Sequence, residues 1–87
     1  IDAPPDTLRE DYKADYILMV AEVYAYEKDP ALAARQLALL GTAKPVDLIN
    51  QAMVTALDLG YAPSDLIVMR DLADAMKTWN PALEGGS

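Results

Sequence analysis

The side chains in this 87-residue chain that could do chemistry are mainly carboxylates, and two pairs of them recur at helical spacing. Asp11 and Asp15 lie four residues apart, and Asp71 and Asp74 lie three residues apart. Paired carboxylates can bind a divalent cation or divide acid and base roles between them. The ion-loop spacing of an EF-hand is absent, however, and lysine and arginine residues lie close by in the sequence. We therefore interpret both pairs as solvated helix faces.

The other residue types that catalysis requires are scarce. The chain contains no histidine and no cysteine, which removes the commonest general base, the commonest transition-metal ligand and every disulfide. Serine occurs only at Ser64 and Ser87, and neither has a predicted base beside it to activate its hydroxyl. The sequence therefore predicts a protein that is not an enzyme, with no catalytic residue, no cofactor and no metal site.

The charge and hydropathy of the chain exclude two further classes of partner. Fourteen acidic and seven basic residues give a net charge of −7, which repels nucleic acid and anionic membrane surfaces. The first long run without charged or amide side chains is only 16–21, far short of the roughly 20 residues of a membrane span. We therefore expect no nucleic-acid binding and no direct membrane insertion by this stretch of chain.

The first half of the sequence predicts two helices. Apolar residues recur at three- and four-residue steps over residues 7–28, which is the helical period. The first helix is predicted to end before Asp29 and Pro30, where a second helix begins. Asp29 can cap this second helix, and Pro30 suits its first position. Gly41 is expected to end that second helix as a left-handed cap. The link between the two helices is so short that they are expected to fold back as an antiparallel hairpin.

The second half predicts another hairpin of the same kind. A third helix should end at Gly60, and a fourth, capped by Ser64 or Ala62, should end near Trp79. The predicted fold is therefore all-α, with four helices arranged as two antiparallel helical hairpins. We expect one helical domain over residues 1–84 and a flexible tail over residues 85–87.

Seven residues of the first hairpin stand at the spacing of a known helical repeat, namely Val20, Ala21, Tyr24, Ala33, Leu37, Leu40 and Pro45. On these residues the hairpin is similar to a tetratricopeptide-type repeat. Small residues at Ala21 and Ala33 would let two helices approach closely. The second hairpin does not match the pattern, because Thr55, Asp58 and Asp71 would occupy positions for small or apolar residues. A single repeat-like hairpin does not make an array.

A second resemblance covers roughly residues 3–41. Residues 8–22, followed by residues 37–41, resemble the soluble C-terminal part of uncharacterised bacterial proteins that carry one N-terminal transmembrane helix. The resemblance implies a membrane-tethered domain on the extracytoplasmic side, with the anchor just before Ile1. The chain begins with Ile1 rather than methionine, so we expect that it has been cut, processed or expressed as a fragment. The resemblance implies no activity, cofactor or catalytic residue.

The tyrosines of the first helix give the candidate interaction surface. Tyr12, Tyr16 and Tyr24, with Val20 between them, form a stripe at four-residue steps. We expect Tyr16 and Tyr24 in the core with their hydroxyls at its rim. Tyr12 is left open, because the second helix is only about half as long as the first and cannot cover it. Tyr12, with Leu8 one turn before it, is therefore the predicted interaction surface.

Two functions are compatible with these observations. The first is a non-enzymatic helical interaction domain that binds another protein or itself. The alternative is a small-ligand binding or sensory domain with a pocket between the two hairpins. An exposed apolar patch near Tyr12 would favour the first, and an enclosed cavity lined by methionine and tyrosine would favour the second.

Overall fold

A computed structural model describes residues 5–41 and 43–79, with side chains from residue 10 onward, and this part of the chain is helical with short links. The predicted all-α fold with four helices is therefore confirmed. The pairing into antiparallel hairpins, the repeat-like geometry and the division into a domain and a tail stay predictions. The tail, residues 85–87, lies outside the described residues. The helices are α1 (Pro5–Glu27), α2 (Pro30–Ala38), α3 (Pro45–Leu59) and α4 (Pro63–Thr78).

Every one of these helices begins at a proline. Proline suits the first helical position because its φ is already close to helical and its missing N–H has no partner there. Before α2, the Asp29 carboxylate accepts a hydrogen bond from the Leu32 amide at 3.1 Å, which confirms the predicted cap. Helix α1 begins at Pro5, two residues earlier than the predicted start at residue 7.

The two glycines predicted to end helices behave differently. Gly60 caps α3 in the left-handed conformation, with φ 82° and ψ 31°, as predicted. Helix α2 instead ends at Ala38, and the predicted glycine cap is wrong. Leu39, Leu40 and Gly41 each donate a hydrogen bond to the carbonyl three residues earlier, at 3.2, 3.0 and 3.3 Å. This tight turn satisfies the last carbonyls of α2 with Leu39 as a right-handed cap. Gly41 has a positive φ of 141°, but only after the turn.

The core draws apolar side chains from all four helices, and no charged or polar residue of the described part is fully buried. Six of its fourteen residues are alanines, so the helices approach closely and the core is thin. Met19 on α1 and Leu57 on α3 are exposed although both are apolar. The buried residues are Ala14, Ile17, Val20, Ala21, Ala33, Leu37, Leu48, Ile49, Ala52, Ala56, Met69, Leu72, Ala73 and Met76.

Helix α1 is the central element of this core. It has 23 residues against nine in α2, which agrees with the predicted mismatch in length. Helix α1 contacts all three other helices, and it packs more extensively on α3 and α4 than on α2. The stretch of its buried face that α2 cannot cover is therefore covered by α3 and α4. The opposite face of α1 is left exposed.

Candidate interaction surface on helix α1

Three large side chains lie along the exposed face of α1 at intervals of seven residues. Tyr12 is 65% exposed, Met19 is 44% exposed and Tyr26 is 88% exposed. Seven residues make almost two helical turns, so successive positions drift by only about 20° around the helix. At 1.5 Å per residue the three side chains extend over roughly 21 Å. We call these three residues the α1 stripe.

One edge of the α1 stripe is apolar and adjoins α2. Tyr16 and Val23 lie along this edge and are half-buried. The Tyr16 hydroxyl donates a hydrogen bond to the backbone oxygen of Gln36 at 2.9 Å, which ties the edge to α2. With these two residues included, the apolar positions alternate between steps of four and three. That is the spacing with which one helix contacts another along its length. The five positions are Tyr12, Tyr16, Met19, Val23 and Tyr26.

The opposite edge is acidic, and we call Asp11, Asp15 and Glu22 the acidic edge. Asp15 accepts a hydrogen bond from the hydroxyl of Tyr61, which lies in the link between α3 and α4. Burial of Tyr61, this hydrogen bond and the negative charges of Asp15, Asp11 and Asp65 together raise the pKa of Tyr61 to about 12 from its usual 10.0. With this pKa, Tyr61 remains a hydrogen-bond donor to Asp15 to a higher pH than an ordinary tyrosine would.

The predicted site residues fall into two groups. Tyr12 is exposed, as an interaction surface requires, whereas the side chain of Leu8 lies outside the described residues although its backbone belongs to α1. Tyr16 and Tyr24 pack against the core as predicted. The Nζ atom of Lys28 lies 5.6 Å from the centroid of the Tyr24 ring, a cation–π contact at the end of α1.

Sequence reasoning missed Met19 and Tyr26, because it followed four-residue steps. Such steps drift by about 40° each around a helix. The predicted stripe therefore winds from solvent at Tyr12 to complete burial at Val20. Seven-residue steps hold one face much better, and the spacing of Tyr12, Met19 and Tyr26 is the signal that identifies the exposed row.

The two carboxylate pairs end in different surroundings. Asp71 and Asp74 are exposed on α4, and Asp74 lies 3.9 Å from Lys77 in a solvent-accessible ion pair. Asp15 departs from the simple picture of a solvated face because it accepts the Tyr61 hydrogen bond. Within residues 5–41 and 43–79, no group of three or more acidic side chains is arranged to hold a metal ion.

A depression between α3 and α4 is lined by Met53, Leu66, Ile67 and Arg70 and has a volume of about 140 Å³. Pockets for small organic ligands usually measure about 300–1,000 Å³. The depression also lies within the second pair of helices rather than between the two predicted hairpins. It therefore gives little support to a small-ligand site of the kind that the sequence left open.

No protein-family model, no curated protein and no solved structure matches the chain. The likeness of residues 3–41 to membrane-tethered bacterial proteins accordingly stays an expectation from the sequence. No helix in the described part combines the length and the apolar character needed to cross a membrane. The functional argument therefore depends on the geometry of the α1 stripe and its two edges.

Proposed function

We propose that this chain is a non-enzymatic protein-interaction domain whose binding surface is the exposed face of α1. The observation that carries the proposal is the α1 stripe, in which two tyrosines and a methionine stand exposed in one row. Tyrosine and methionine are enriched at protein interfaces. Tyrosine buries a large area while its hydroxyl keeps a hydrogen-bond partner or water.

The surroundings of the stripe also favour binding. The hydrogen bond from Tyr16 to Gln36 ties α1 to α2, and the bond from Tyr61 to Asp15 ties it to the link between α3 and α4. Helix α1 is thus held on both sides of its exposed face. A surface that is already ordered loses little conformational entropy when a partner binds, so more of the contact energy contributes to affinity.

The resemblance of residues 3–41 to tethered bacterial proteins supports a second part of the proposal. The domain would be held at the extracytoplasmic face of a bacterial membrane by a segment that precedes Ile1, with its α1 stripe facing partners there. Fractionation of cells that express the complete gene tests this part. Recovery of the protein in the membrane fraction is expected, and recovery with the soluble cytoplasmic proteins would contradict it.

Site-specific crosslinking tests the binding surface itself. A photoreactive amino acid is placed at Tyr12 or at Tyr26 in the native host, with exposed Asp71 on α4 as the control position. We expect both α1 positions to crosslink the same partner and position 71 to crosslink it much less. Crosslinks to that partner from position 71 alone would place the interface elsewhere.

A stripe variant then tests whether partner binding depends on the three side chains of the α1 stripe. The triple change Tyr12→Gln, Met19→Gln and Tyr26→Gln removes the exposed row, and glutamine keeps the helix because its helical propensity is high. We expect at least about a tenfold loss of partner recovery, since buried aromatic anchors dominate interface energies. The circular dichroism signal of the helices should remain.

The matched control changes two exposed apolar residues on α3, namely Val54→Gln and Leu57→Gln. This control variant loses similar apolar surface but keeps the α1 stripe, so it should recover the partner normally. If the control variant loses the partner while the stripe variant keeps it, the binding surface is on α3 and the proposal is wrong.

A further inference from the structure

We infer that the partner of the α1 stripe is a basic amphipathic helix. This inference rests on the proposed function and adds the chemistry of the partner to it. The spacing of the apolar side chains indicates a helix, and the charge of the acidic edge indicates that the helix is basic.

The spacing argument starts from the row of five apolar positions. Alternating steps of four and three residues let the side chains of one helix fit between those of another helix over many turns. A peptide that binds as an added β-strand needs the free edge of a sheet for its backbone hydrogen bonds, and residues 5–41 and 43–79 contain no strand. The roughly 21 Å between Tyr12 and Tyr26 corresponds to about fourteen residues of a partner helix.

The charge argument concerns the side of α1 that a partner helix would overlap. Asp11, Asp15 and Glu22 follow one side of the stripe, whereas Lys13 projects from the far side of α1 by helical geometry. Lysine or arginine residues that flank the apolar positions of a partner helix would meet these carboxylates.

A second copy of the chain fits this surface less well. With about 150–250 Å² for an aromatic side chain, the three stripe residues expose on the order of 400 Å², below the roughly 800 Å² per partner of a stable interface. Each copy also carries a net charge of −7. An antiparallel two-fold pairing would lay the acidic edge of one copy against the same edge of the other. A basic partner turns that repulsion into attraction.

Three synthetic peptides test the inference on the intact 87-residue chain. Each has about three heptads with leucine at the two apolar positions, and the flanking positions carry lysine, glutamine or glutamate. Fluorescence anisotropy gives their affinities at about 50 and 300 mM salt. We expect the lysine peptide to bind at least about tenfold tighter than the glutamine peptide at low salt. The glutamate peptide should bind weakest, and the differences should shrink at high salt.

Two charge variants test whether the acidic edge causes the preference for the lysine peptide. The double change Asp11→Asn and Glu22→Gln leaves the bond between Asp15 and Tyr61 in place. This double change should lower the affinity for the lysine peptide about fivefold and leave the affinity for the glutamine peptide unchanged. The change Glu22→Lys should instead strengthen binding of the glutamate peptide.

The outcomes distinguish the inference from the proposed function. Equal affinities for the three peptides would overturn the inference that the partner is a basic helix, and so would unchanged affinities in the charge variants. The proposed function stands in either case, provided that the stripe variant still abolishes binding. If the stripe variant binds the lysine peptide as tightly as the unaltered chain does, charge alone drives binding and both are wrong. Self-association in sedimentation with no peptide binding also overturns the basic helix, because the occupant is then a second copy.

Discussion

The hydroxyl of Tyr61 donates a hydrogen bond to the carboxylate of Asp15, which ties α1 to the link between α3 and α4. The two residues are 46 positions apart in the sequence. Because Asp15 belongs to the acidic edge of the candidate surface, this bond couples the stability of the domain to the geometry of that candidate surface.

The first prediction concerns the strength of this bond. The change Tyr61→Phe should lower the free energy of unfolding at pH 7 by about 1 kcal/mol, because a hydrogen bond to a charged acceptor is lost at a solvent-accessible site. Urea unfolding followed by circular dichroism measures the difference. The matched control is Tyr26→Phe, whose hydroxyl belongs to a largely exposed side chain and should contribute little.

The second prediction is a loss of stability at alkaline pH. The folded state raises the pKa of Tyr61 from 10.0 to about 12, so it favours the protonated phenol. The stability that this shift contributes is fully present below pH 10 and is lost as the pH rises through 12. The stability advantage of the unaltered chain over Tyr61→Phe should therefore be smaller at about pH 11.5 than at about pH 9. An advantage that stays constant over this range would show that the phenol does not titrate as described.

The ends of the helices show which parts of the fold a sequence can predict. The cap at Asp29 and the left-handed Gly60 were predictable because each depends on the chemistry of a few neighbouring residues. The end of α2 was not predictable in this way. Leu40 packs against the core from the turn that follows Ala38, and this contact with distant residues favours a tight turn over a glycine cap.

The proposed binding surface was predictable only at one of its described positions. Tyr12 was identified from the short second helix, whereas Met19 and Tyr26 were not, because the exposed face of α1 depends on where α3 and α4 pack. The bond between Tyr61 and Asp15 joins distant parts of the chain, so no local spacing indicates it.

The third prediction tests the close approach of the helices. Ala21 and Ala33 are buried, and a larger side chain at either position should meet neighbours that cannot move easily. Ala21→Leu and Ala33→Leu should each lower the free energy of unfolding by about 1–3 kcal/mol. Exposed Ala25 and Ala38 provide same-helix controls, and leucine there should change little. Equal melting temperatures for buried and exposed variants would contradict tight packing at these alanines.

The fourth prediction concerns the start of α2. The change Asp29→Ala removes the acceptor for the Leu32 amide and should cost about 1 kcal/mol, the usual contribution of a helix N-cap. Asp71→Ala, in the exposed middle of α4, removes the same charge without touching a cap and serves as the control. Thermal unfolding compares the two variants. If both shift the melting temperature equally, the effect is one of net charge and not of capping.

The last prediction compares two leucines in different surroundings. Leu72 on α4 is fully buried, whereas Leu57 on α3 is 64% exposed. Truncating a buried leucine loses its transfer free energy and leaves a cavity, so Leu72→Ala should lower the free energy of unfolding by about 2–5 kcal/mol. Total stabilities of small domains are about 5–15 kcal/mol, so this change should visibly lower the urea midpoint. Leu57→Ala should cost less than about 0.5 kcal/mol, since an exposed side chain gains little from folding. Equal losses for the two variants would mean that Leu57 is buried in solution and that α3 is rotated relative to the core described above.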